Sequence, residues 1–385
     1  MTFRRSDNPA EDINRGLQMP AKRRELIAAS SDELPVAGYG VNALAAALHP
    51  GFLKARIVEK QPVGVESWRI TLKSLREDGR FPYFRAGQFV TLSDQVEDSF
   101  ISRPYSISSS PKQALEGKLE IIVQRKGIFS QYLIDKARIG ALITVSEPAG
   151  DFFHDDIRDA EHVLAVAGGS GVTPFISMMK AIQEGSEDFR LTLIYGVRTR
   201  KHLIVDSEGF SDERIRIIPV LSDEQADGYY SGFINADILG QFADKNTSVF
   251  MCGPDAMYDF VTHELDTLGI SRIRRERNCV SNRRVDREEI YRLTVHIRDE
   301  VYALTARNDE TVITALERAG IPAVVRCRSG VCGFCHSRLI SGEYFINPED
   351  DFRRQADRKF GYIHPCCCYP ESDMEIEIPI FDLGG

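Results

Sequence analysis

Hydrophobic and polar positions along the chain follow three successive patterns. Residues 1–51 show no sustained period, and one short apolar stretch at 41–48 predicts no more than a small helix in this N-terminal extension. Between residues 52 and 157, apolar and polar positions alternate in six short segments that Gly, Pro or Asp interrupts. The period of two and the closely spaced breakers predict an antiparallel β-barrel with the strands LKARIVEK, SWRITLKSL, GQFVTLSD, RPYSISSS, GKLEIIVQ and ALITVSEP.

Residues 158–280 alternate apolar runs with helical patterns. The runs HVLAVAGG, RLTLIYGV, IRIIPVL and SVFMCGP predict buried strands. Between the first two, Thr173 is a predicted N-cap, Pro174 occupies the first helical position and Gly185 follows the helix end. A second amphipathic helix is predicted from Asp255 to Leu268. Strands that alternate with helices predict an α/β domain with a doubly wound parallel sheet.

The rest of the chain predicts a linker at 281–289 and a small α+β domain at 290–385. This last domain begins with a strand hairpin, YRLTVHIRD and EVYALTAR, continues with a helix from Thr311 to Ala319, and closes on the strand MEIEIPIF. The linker belongs to the arginine-rich run SRIRRERNCVSNRRVDRE. This run either steers the last domain or is a solvated surface segment. The chain is therefore predicted to be a multidomain protein.

Six of the 8 cysteines lie in two clusters in the last domain. Cys327, Cys332 and Cys335 stand in CRSGVCGFC, and the triplet 366–368 follows. The spacing C-x4-C-x2-C…C is typical of plant-type [2Fe–2S] clusters, whose two irons are held by four thiolates. Zinc sites usually show paired Cys-x-x-Cys or Cys/His knuckles, which this pattern lacks. The spacing alone does not decide which cysteine of the triplet is the fourth ligand.

Composition and charge exclude several classes of protein. With 43% hydrophobic and 27% charged residues, the chain has an ordinary globular composition, and no apolar run approaches the roughly 18 residues of a membrane span. The N-terminus has no apolar region typical of an export signal, so a cytoplasmic location is expected for these reduced cysteines. The net charge is −9, and residues 288–385 contribute 17 Asp and Glu against 11 Lys and Arg. This acidity argues against nucleic acid, and it indicates either docking onto a basic protein or simple solubility.

Two glycine-containing turns predict a nucleotide site in the second domain. The strand that ends AGGSGVTP opens a helix, so Gly168, Gly169 and Gly171 would let backbone N–H groups approach a pyrophosphate. Tight packing of the strand on the helix explains such a turn almost as well. The run MCGPDAM, in which Cys252 begins Cys-Gly-Pro, ends a later strand. Both turns lie at carboxyl ends of parallel strands, where open sheets bind ligands.

The barrel carries a second group of candidate residues. Arg103, Pro104, Tyr105 and Ser106 are followed by a Gly127-Ile-Phe-Ser130 turn that opens a short helix. An arginine, an aromatic ring and a hydroxyl could clamp a phosphate, stack on a ring and hydrogen-bond a ring nitrogen. Each residue taken separately is more often an ordinary surface or half-buried side chain.

In this order, the motifs RPYS, G-x-x-S, AGGSGVTP and CGP resemble the ferredoxin–NADP reductase superfamily, and CRSGVCGFC…CCCYP resembles a plant-type ferredoxin domain. The resemblance covers about residues 52 to 385. It implies a flavin-binding barrel, a nicotinamide-binding domain and a β-grasp ferredoxin domain. This arrangement is similar to reductase components of multicomponent oxygenases and hydroxylases, and to the hydroxylamine-reductase partner type.

The resemblance also implies roles for individual residues. Arg103 would hold the flavin phosphate, Tyr105 would stack on the isoalloxazine ring and Ser106 would approach flavin N5. Cys252 would lie near the nicotinamide ring, and Cys366, three residues before a Tyr-Pro pair, is favoured as the fourth cluster ligand. The remaining cofactor-binding residues implied are Pro104, Gly127 and Ser130 for the flavin, and Gly168, Gly169, Gly171, Val172, Thr173, Arg198, Gly253 and Pro254 for the nicotinamide cofactor.

Two cofactor identities stay open at this level. The segment EPAGDFF favours FAD, with FMN as the alternative. Basic residues after the second strand of the nicotinamide domain, Arg198, Arg200 and Lys201, could bind a 2′-phosphate, but they do not separate NADPH from NADH. Members of the superfamily often have an aromatic residue two positions after the glutamate that corresponds to Glu276, where this chain has Asn278.

Together these features predict an NAD(P)H:acceptor oxidoreductase. Electrons would pass from NAD(P)H through FAD and a [2Fe–2S] cluster to an external protein acceptor. One alternative is an electron-conduit or redox-sensing subunit of a larger complex that has no turnover of its own. Another is a self-contained quinone or ferric reductase.

Overall fold

A computed structural model describes residues 21, 25, 51–276, 280, 283–321, 323 and 325–379. The short helix expected at 41–48, the end of the predicted closing strand beyond residue 379, and Asn278 lie outside the described residues. The chain divides into one unit at Met1–His49 and a second at Pro50–Gly385. All elements described below belong to the second unit. No helix in the described part of the chain is both long and apolar enough to cross a bilayer.

The first part of this unit is a six-stranded antiparallel sheet in the order β4-β3-β6-β1-β2-β5. Alternate positions of its strands point into one apolar core, in which Ala55, Ile57 and Ile70 are almost fully buried. The elements are β1 (Phe52–Pro62), β2 (Ser67–Ser74), β3 (Phe89–Val96), β4 (Ser99–Ser106), α1 (Pro111–Leu115), β5 (Lys118–Gln124), α2 (Ile128–Gln131) and β6 (Leu142–Ser146).

The sheet closes into the predicted barrel next to the end of β4. Ile107 bridges Ile121 on β5, and the Ser108 amide donates to the Glu120 carbonyl at 2.8 Å. The fourth strand lies four residues earlier than the alternation predicted. The reason is a tight hairpin, in which Val96 pairs with Ser99 and Glu97 adopts a positive φ of 56°. As a result, the RPYS motif occupies the end of β4, at the rim of the barrel.

The second part is a parallel six-stranded sheet in the order β10-β9-β8-β7-β11-β12. Its four long strands match the predicted apolar runs, because strands covered on both faces are apolar throughout. The elements are β7 (His162–Gly168), α3 (Thr173–Gln183), β8 (Arg190–Val197), β9 (Ile215–Leu221), β10 (Tyr230–Ser231), α4 (Ala236–Leu239), β11 (Ser248–Cys252), α5 (Asp255–Thr267) and β12 (Ile273–Arg275).

The start of α3 differs from its predicted form. A 3₁₀ turn over Gly169–Val172 leads directly into α3, so that Val172 is the N-cap and Thr173 the first helical residue. The Thr173 hydroxyl donates to the Ser170 carbonyl at 2.7 Å and does not cap a helix N–H group. Gly185 follows the helix end with a positive φ of 74°, as predicted.

The third part is a five-stranded sheet in the order β14-β13-β19-β15-β17, with a parallel central pair β13–β19. The helix α6 contributes Val312, Ile313 and Leu316 to its core, next to Cys366 and Cys368. The elements are β13 (Ile290–Ile297), β14 (Glu300–Arg307), α6 (Val312–Arg318), β15 (Ser337–Ser341), β16 (Tyr344–Phe345), α7 (Gln355–Lys359), β17 (Tyr362–Ile363), β18 (Tyr369–Pro370) and β19 (Met374–Glu377). The short elements from β15 to β18 were not predicted, since no periodic pattern develops in so few residues.

Gly171 makes the tightest backbone approach between β7 and β11. A Cβ atom at this position would lie 2.1 Å from the Cys252 carbonyl oxygen and 2.5 Å from its carbon. We therefore expect Gly171→Ala to lower the free energy of unfolding by about 3 kcal/mol in urea denaturation, since a packed backbone cannot yield to the added methyl group. Gly209→Ala is the matched control, because a Cβ at Gly209 meets open space. Equal stabilities of the two variants would contradict this interpretation.

Candidate functional site

The RPYS motif at the end of β4 presents its side chains to two environments. Tyr105 stacks on Phe129, with ring centroids 6.5 Å apart and an interplanar angle of 29°. Burial raises the pKa of the Tyr105 phenol well above its usual range, so the hydroxyl stays protonated. Ser106 is buried, whereas Arg103 is about one-third exposed. Pro104 lies between Arg103 and Tyr105 on the strand.

Arg103 divides its hydrogen-bond donors between the protein and the open rim. Its Nη1 donates to the Ser102 carbonyl at 2.7 Å and to both carboxylate oxygens of Glu317 at 3.1 and 3.0 Å. Among the described residues, no partner is found for Nε or Nη2. A phosphate group fits these remaining donors, since a guanidinium edge binds phosphate through two parallel N–H groups.

The turn that begins at Gly127 is organised by the hydroxyl of Ser130. This oxygen accepts hydrogen bonds from the amides of Lys126 and Gly127 at 3.0 and 2.9 Å, and donates to the Gly127 carbonyl at 2.8 Å. Gly127 itself is exposed, and a Cβ there would meet nothing within 4 Å. Ser130 therefore shapes the turn, and the open side lies at Gly127.

A buried carboxylate joins the barrel to the parallel sheet. Glu276, directly after β12, accepts hydrogen bonds from the Ser106 hydroxyl at 3.1 and 3.0 Å, and from the Cys252 thiol at 3.1 Å. Tyr258 fixes the backbone here, because its hydroxyl donates to the Glu276 carbonyl at 2.5 Å and accepts from the Gly253 amide at 3.1 Å. Burial, followed by the charge of Glu276, raises the pKa of Cys252, which therefore remains a thiol.

Glu276 was not among the predicted site residues. Three distant segments supply the side chains of this site. More than 140 positions separate Ser106 from Cys252, and more than 20 separate Cys252 from Glu276, so no local spacing links them. The sequence held two signals, its correspondence to a glutamate of the superfamily and its position at the end of the nicotinamide domain, at the edge where strand carboxyl ends meet.

The two predicted nucleotide-binding turns lie against each other at this same edge. Gly169 has a positive φ of 54°, and its carbonyl accepts from the Tyr195 hydroxyl at 3.0 Å. A Cβ at Gly168 would come within 2.9 Å of Pro254, and a Cβ at Gly253 within 3.1 Å of the Gly168 amide. The structure thus brings together the residues predicted at both turns, Gly168, Gly169, Gly171, Val172, Thr173, Cys252, Gly253 and Pro254.

The basic residues after β8 have an acidic neighbour. Arg198 is exposed, and Arg200 is paired with Glu224 through its Nε at 2.6 Å and its backbone amide at 2.9 Å. These hydrogen bonds from Arg200 hold the pKa of Glu224 below its usual range. Thr199, Arg200, Lys201 and Glu224 line one open cleft.

The cysteines of the last domain converge on one loop. The Cys327 sulfur accepts from the amides of Ser329 and Cys332 at 3.4 Å, and the Cys332 sulfur accepts from the Phe334 amide at 3.4 Å. The Cys366 thiol lies next to the thiols of Cys327, Cys335 and Cys367. Cys332 is exposed, whereas Cys327, Cys335 and Cys366 are buried.

The other two members of the cysteine triplet have further surroundings of their own. The Cys367 thiol is 3.4 Å from the His364 carbonyl, and Cys368 is fully buried in the apolar core of the domain. In the described part of the chain, no three His, Cys, Asp or Glu side chains surround a single ion position.

The cysteine loop packs on the barrel. Arg326 lies over the ring of Phe334 at 3.7 Å and pairs with Glu147 at 2.6 Å, while its carbonyl accepts from the Thr91 hydroxyl at 2.9 Å. The Phe334 ring meets Phe52 edge-on, with centroids 6.4 Å apart. The loop that carries three of the predicted ligands therefore lies against the barrel that carries the RPYS motif.

Comparison with family models identifies three domains in the predicted order. The oxidoreductase FAD-binding domain matches residues 54–154, the oxidoreductase NAD-binding domain matches 165–263, and the 2Fe-2S iron–sulfur cluster binding domain matches 295–371. These matches confirm FAD, a nicotinamide cofactor and a [2Fe–2S] cluster as the cofactors, and they decide the alternative between FAD and FMN in favour of FAD.

Curated relatives align with about three quarters of this chain. The chain is 29% identical over 299 residues to the NADH oxidoreductase HCR of Escherichia coli (strain K12), covering 76% of this chain and 88% of the relative. It is 25% identical over 323 residues to the glycine betaine monooxygenase reductase subunit of Chromohalobacter salexigens, covering 77% and 87%. The solved structure of phthalate dioxygenase reductase superposes with a TM-score of 0.63 at 23% identity, covering 86% of this chain and 98% of that one.

These similarities confirm the predicted fold class of antiparallel barrel, doubly wound parallel sheet and β-grasp domain. They also confirm that the protein is an oxidoreductase whose domains lead from NAD(P)H through FAD to a [2Fe–2S] cluster. The three domain matches, in this order, confirm the predicted resemblance to flavoproteins of the ferredoxin–NADP reductase superfamily that carry a ferredoxin-type [2Fe–2S] domain after the nicotinamide domain.

Proposed function

We propose that this chain is the reductase component that supplies single electrons from NADH to a separate terminal oxygenase. The observation that carries the proposal is the position of the cysteine loop, which packs on the flavin barrel while Cys332 is open to solvent. An electron that reaches this loop from the barrel can leave through an exposed edge. Relatives named as monooxygenase reductase subunits support an oxygenase as the acceptor.

The RPYS rim and the turn at Gly127 are assigned to FAD. Arg103 offers Nε and Nη2 to the phosphate, Tyr105 supplies an aromatic face, and Ser106 places a hydroxyl at the boundary between barrel and sheet. When bound, FAD accepts a two-electron hydride from the nicotinamide and releases electrons singly to the cluster. The turns at Gly168 and Cys252 are assigned to the nicotinamide cofactor, whose pyrophosphate is received by N–H groups at the start of α3.

Glu276 places a buried carboxylate where the two domains meet. Its carboxylate accepts from Ser106 and Cys252, so both donors are oriented by one buried group. A preorganised charge of this kind favours positive charge that develops next to it, because a buried site screens it weakly. We assign Glu276 to stabilising the nicotinamide ring as it loses hydride.

Cys327, Cys332, Cys335 and Cys366 are assigned as the cluster ligands. The thiols of Cys327 and Cys335 beside Cys366 support it as the fourth ligand, whereas Cys368 is embedded in the apolar core. Backbone amides of Ser329, Cys332 and Phe334 point at the sulfurs and would stabilise their negative charge.

NADH is the proposed electron donor. The Glu224 carboxylate accepts a hydrogen bond from the Arg200 side chain, and it places negative charge in the cleft where a 2′-phosphate would lie. A carboxylate at such a position accepts from a ribose hydroxyl and repels a phosphate. The NADH-dependent relative from Escherichia coli supports the same donor.

The surface beside the cysteine loop supports an acidic partner. His364 bridges the loop to α7, because its Nδ1 contacts the Gly330 carbonyl at 2.9 Å and its Nε2 lies 3.8 Å from Asp357. In the segment 352–361 that contains α7, the exposed charged residues are all cationic, namely Arg354, Arg358 and Lys359. This segment departs from the acidic character expected of the cluster-bearing domain.

Two acidic residues, Asp351 directly before this segment and Asp357 within it, are engaged by groups of the same domain. Asp351 binds Arg353 through two oxygens at 2.9 Å, and that hydrogen bonding holds the pKa of Asp351 below its usual range. The Asp357 carboxylate accepts a hydrogen bond from the Arg354 backbone amide of the same domain at 3.1 Å. The outward charge is therefore positive and complements an acidic acceptor.

Replacing a cluster ligand should separate the two halves of the relay. In Cys332→Ser we expect NADH-driven reduction of cytochrome c to be largely lost, while reduction of FAD by NADH and of ferricyanide persists, because only the exit centre is removed. Iron and sulfide content and stopped-flow absorbance give the readouts. Cys368→Ala is the control and should keep the cluster. Full cytochrome c activity in cluster-free Cys332→Ser protein would refute the relay order.

Glu276→Gln should slow the reduction of FAD by NADH. An amide carries no charge and can accept hydrogen bonds through only one of its two heteroatoms. We therefore expect the first-order rate of FAD reduction, measured by stopped flow, to fall by about tenfold to a hundredfold. FAD content should be unchanged. Glu375→Gln, a surface change on β19, serves as the control. The assignment fails if the rate in Glu276→Gln matches wild type.

Charge reversal beside the cluster should change partner preference. The pair Arg354→Glu and Lys359→Glu is expected to slow electron transfer to an acidic haem protein such as cytochrome b5 by about tenfold at low salt, and to accelerate transfer to basic cytochrome c. The pair Lys73→Glu and Lys118→Glu, on β2 and β5, makes the same change in net charge and should affect neither. Equal effects of the two pairs would exclude this surface as the docking site.

A further inference from the structure

Glu317, on α6 of the ferredoxin-type domain, lies buried between the barrel and the cysteine loop. Its side chain is 7% exposed. On the barrel side, its Oε1 accepts from the Ser102 amide at 3.0 Å, and its two oxygens accept from Arg103 Nη1. On the loop side, Oε1 accepts from Arg328 Nη1 at 2.7 Å. One carboxylate therefore connects the flavin motif to the loop that carries the cluster ligands.

The two arginines stand close to the residues that hold the cofactors. Arg328 lies between Cys327 and Cys332, with a positive φ of 54°, and its side chain is 12% exposed. Its Nη1 also lies 3.4 Å from the Ser102 carbonyl, to which Arg103 donates at 2.7 Å. The hydrogen bonds described for the Glu317 side chain are therefore all with an assigned cofactor-binding residue or the immediate chain neighbour of one.

The charges in this cluster are unbalanced. Two guanidinium groups share a single carboxylate, and burial lowers the pKa of Arg328 while Glu317 opposes that effect. A buried cation needs a counter-charge, so Glu317 satisfies Arg328. The second positive charge, on Arg103, retains Nε and Nη2 for an anion at the open rim. A phosphate on Arg103 would balance the second positive charge.

We propose that Glu317 is a positioning residue for electron transfer between FAD and the [2Fe–2S] cluster. By holding Arg103 and Arg328 at once, it sets the separation and orientation of the two cofactors. Electron-transfer rates fall exponentially with distance, so supporting contacts that hold the two sites within a fraction of an ångström have a large effect. This inference rests on the proposed relay, in which the cluster receives its electrons from FAD inside the same chain.

A positioning role and a structural role differ in what happens to FAD binding. In Glu317→Gln, the negative charge next to the phosphate site is removed, and Arg103 is freed to face the phosphate. FAD affinity should therefore be equal or higher, while electron transfer from FAD to the cluster should slow. A role in folding alone would weaken both together.

The test measures three quantities on holoenzyme and on protein freed of FAD. Anaerobic stopped-flow with NADH gives the rates of FAD reduction and of cluster reduction, freeze-quench EPR follows the cluster directly, and quenching of flavin fluorescence gives the FAD dissociation constant. For Glu317→Gln we expect unchanged FAD reduction, cluster reduction slower by about tenfold to a hundredfold, and FAD binding at least as tight as in wild type.

The control is Glu310→Gln, which changes a carboxylate that is equally buried in the same domain. Glu310 pairs with Arg318 at 2.7 Å and accepts from the Arg307 amide at 3.0 Å, and both partners lie within the ferredoxin-type domain. Glu310→Gln should leave cluster reduction unchanged. Glu317→Asp, which keeps the charge and shortens the side chain, should give an intermediate rate and covers the case in which Glu317→Gln folds poorly.

A double-mutant cycle with Arg328→Gln completes the design. Because both side chains act through one contact, the double variant should be no slower than the slower single variant. Unchanged cluster reduction in Glu317→Gln, or a loss of FAD affinity that parallels the loss of rate, would overturn the proposal. Failure of the wild-type cluster to accept electrons from FAD would instead refute the relay itself.

Discussion

Burial of charged side chains where the cysteine loop meets the barrel is the constraint on which the rest of the structure depends. The side chains of Arg326 and Arg328 are both largely buried at this interface. Arg326 pairs with Glu147 of the barrel, and Arg328 pairs with Glu317 of α6. A buried guanidinium without such a partner would be strongly unfavourable. Glu317 also accepts hydrogen bonds from Ser102 and Arg103 of the barrel, so these contacts and the Arg326–Glu147 pair together favour one docked position of the loop, next to the RPYS motif.

A comparable constraint organises the meeting of barrel and parallel sheet. Ser106, Cys252 and Glu276 are buried together, and the carboxylate accepts from both donors. Because β7 and β11 are adjacent and parallel, the turns at Gly171 and Cys252 come into backbone contact at the same edge. The nicotinamide and flavin sites are thus neighbours for a topological reason, and the oxidoreductase chemistry follows from that proximity.

Charge acts differently at the scale of the domain and of the docking surface. The last domain is acidic in sum, yet α7 and its flanks turn their carboxylates toward Arg353 and backbone amides and their cations toward solvent. A partner senses the exposed charge within about 10 Å rather than the sum over the domain. The exposed cations of the segment 352–361 are therefore opposite in sign to the net charge of the domain.

The amino-acid sequence by itself determined the three-part architecture, the cofactors and most of the candidate site residues, because each depends on a local pattern. The alternation of strands, the glycine turns and the C-x4-C-x2-C spacing all lie within segments of fewer than 20 residues. Local pattern misplaced β4 by four residues and gave Thr173 a capping role that a 3₁₀ turn removes. Glu276, Glu317 and the contacts of Cys366 emerged only in the folded chain, since each joins segments at least 24 residues apart through buried hydrogen bonds or thiol contacts. Such contacts depend on how strands pair and domains dock, and no spacing along the chain records them.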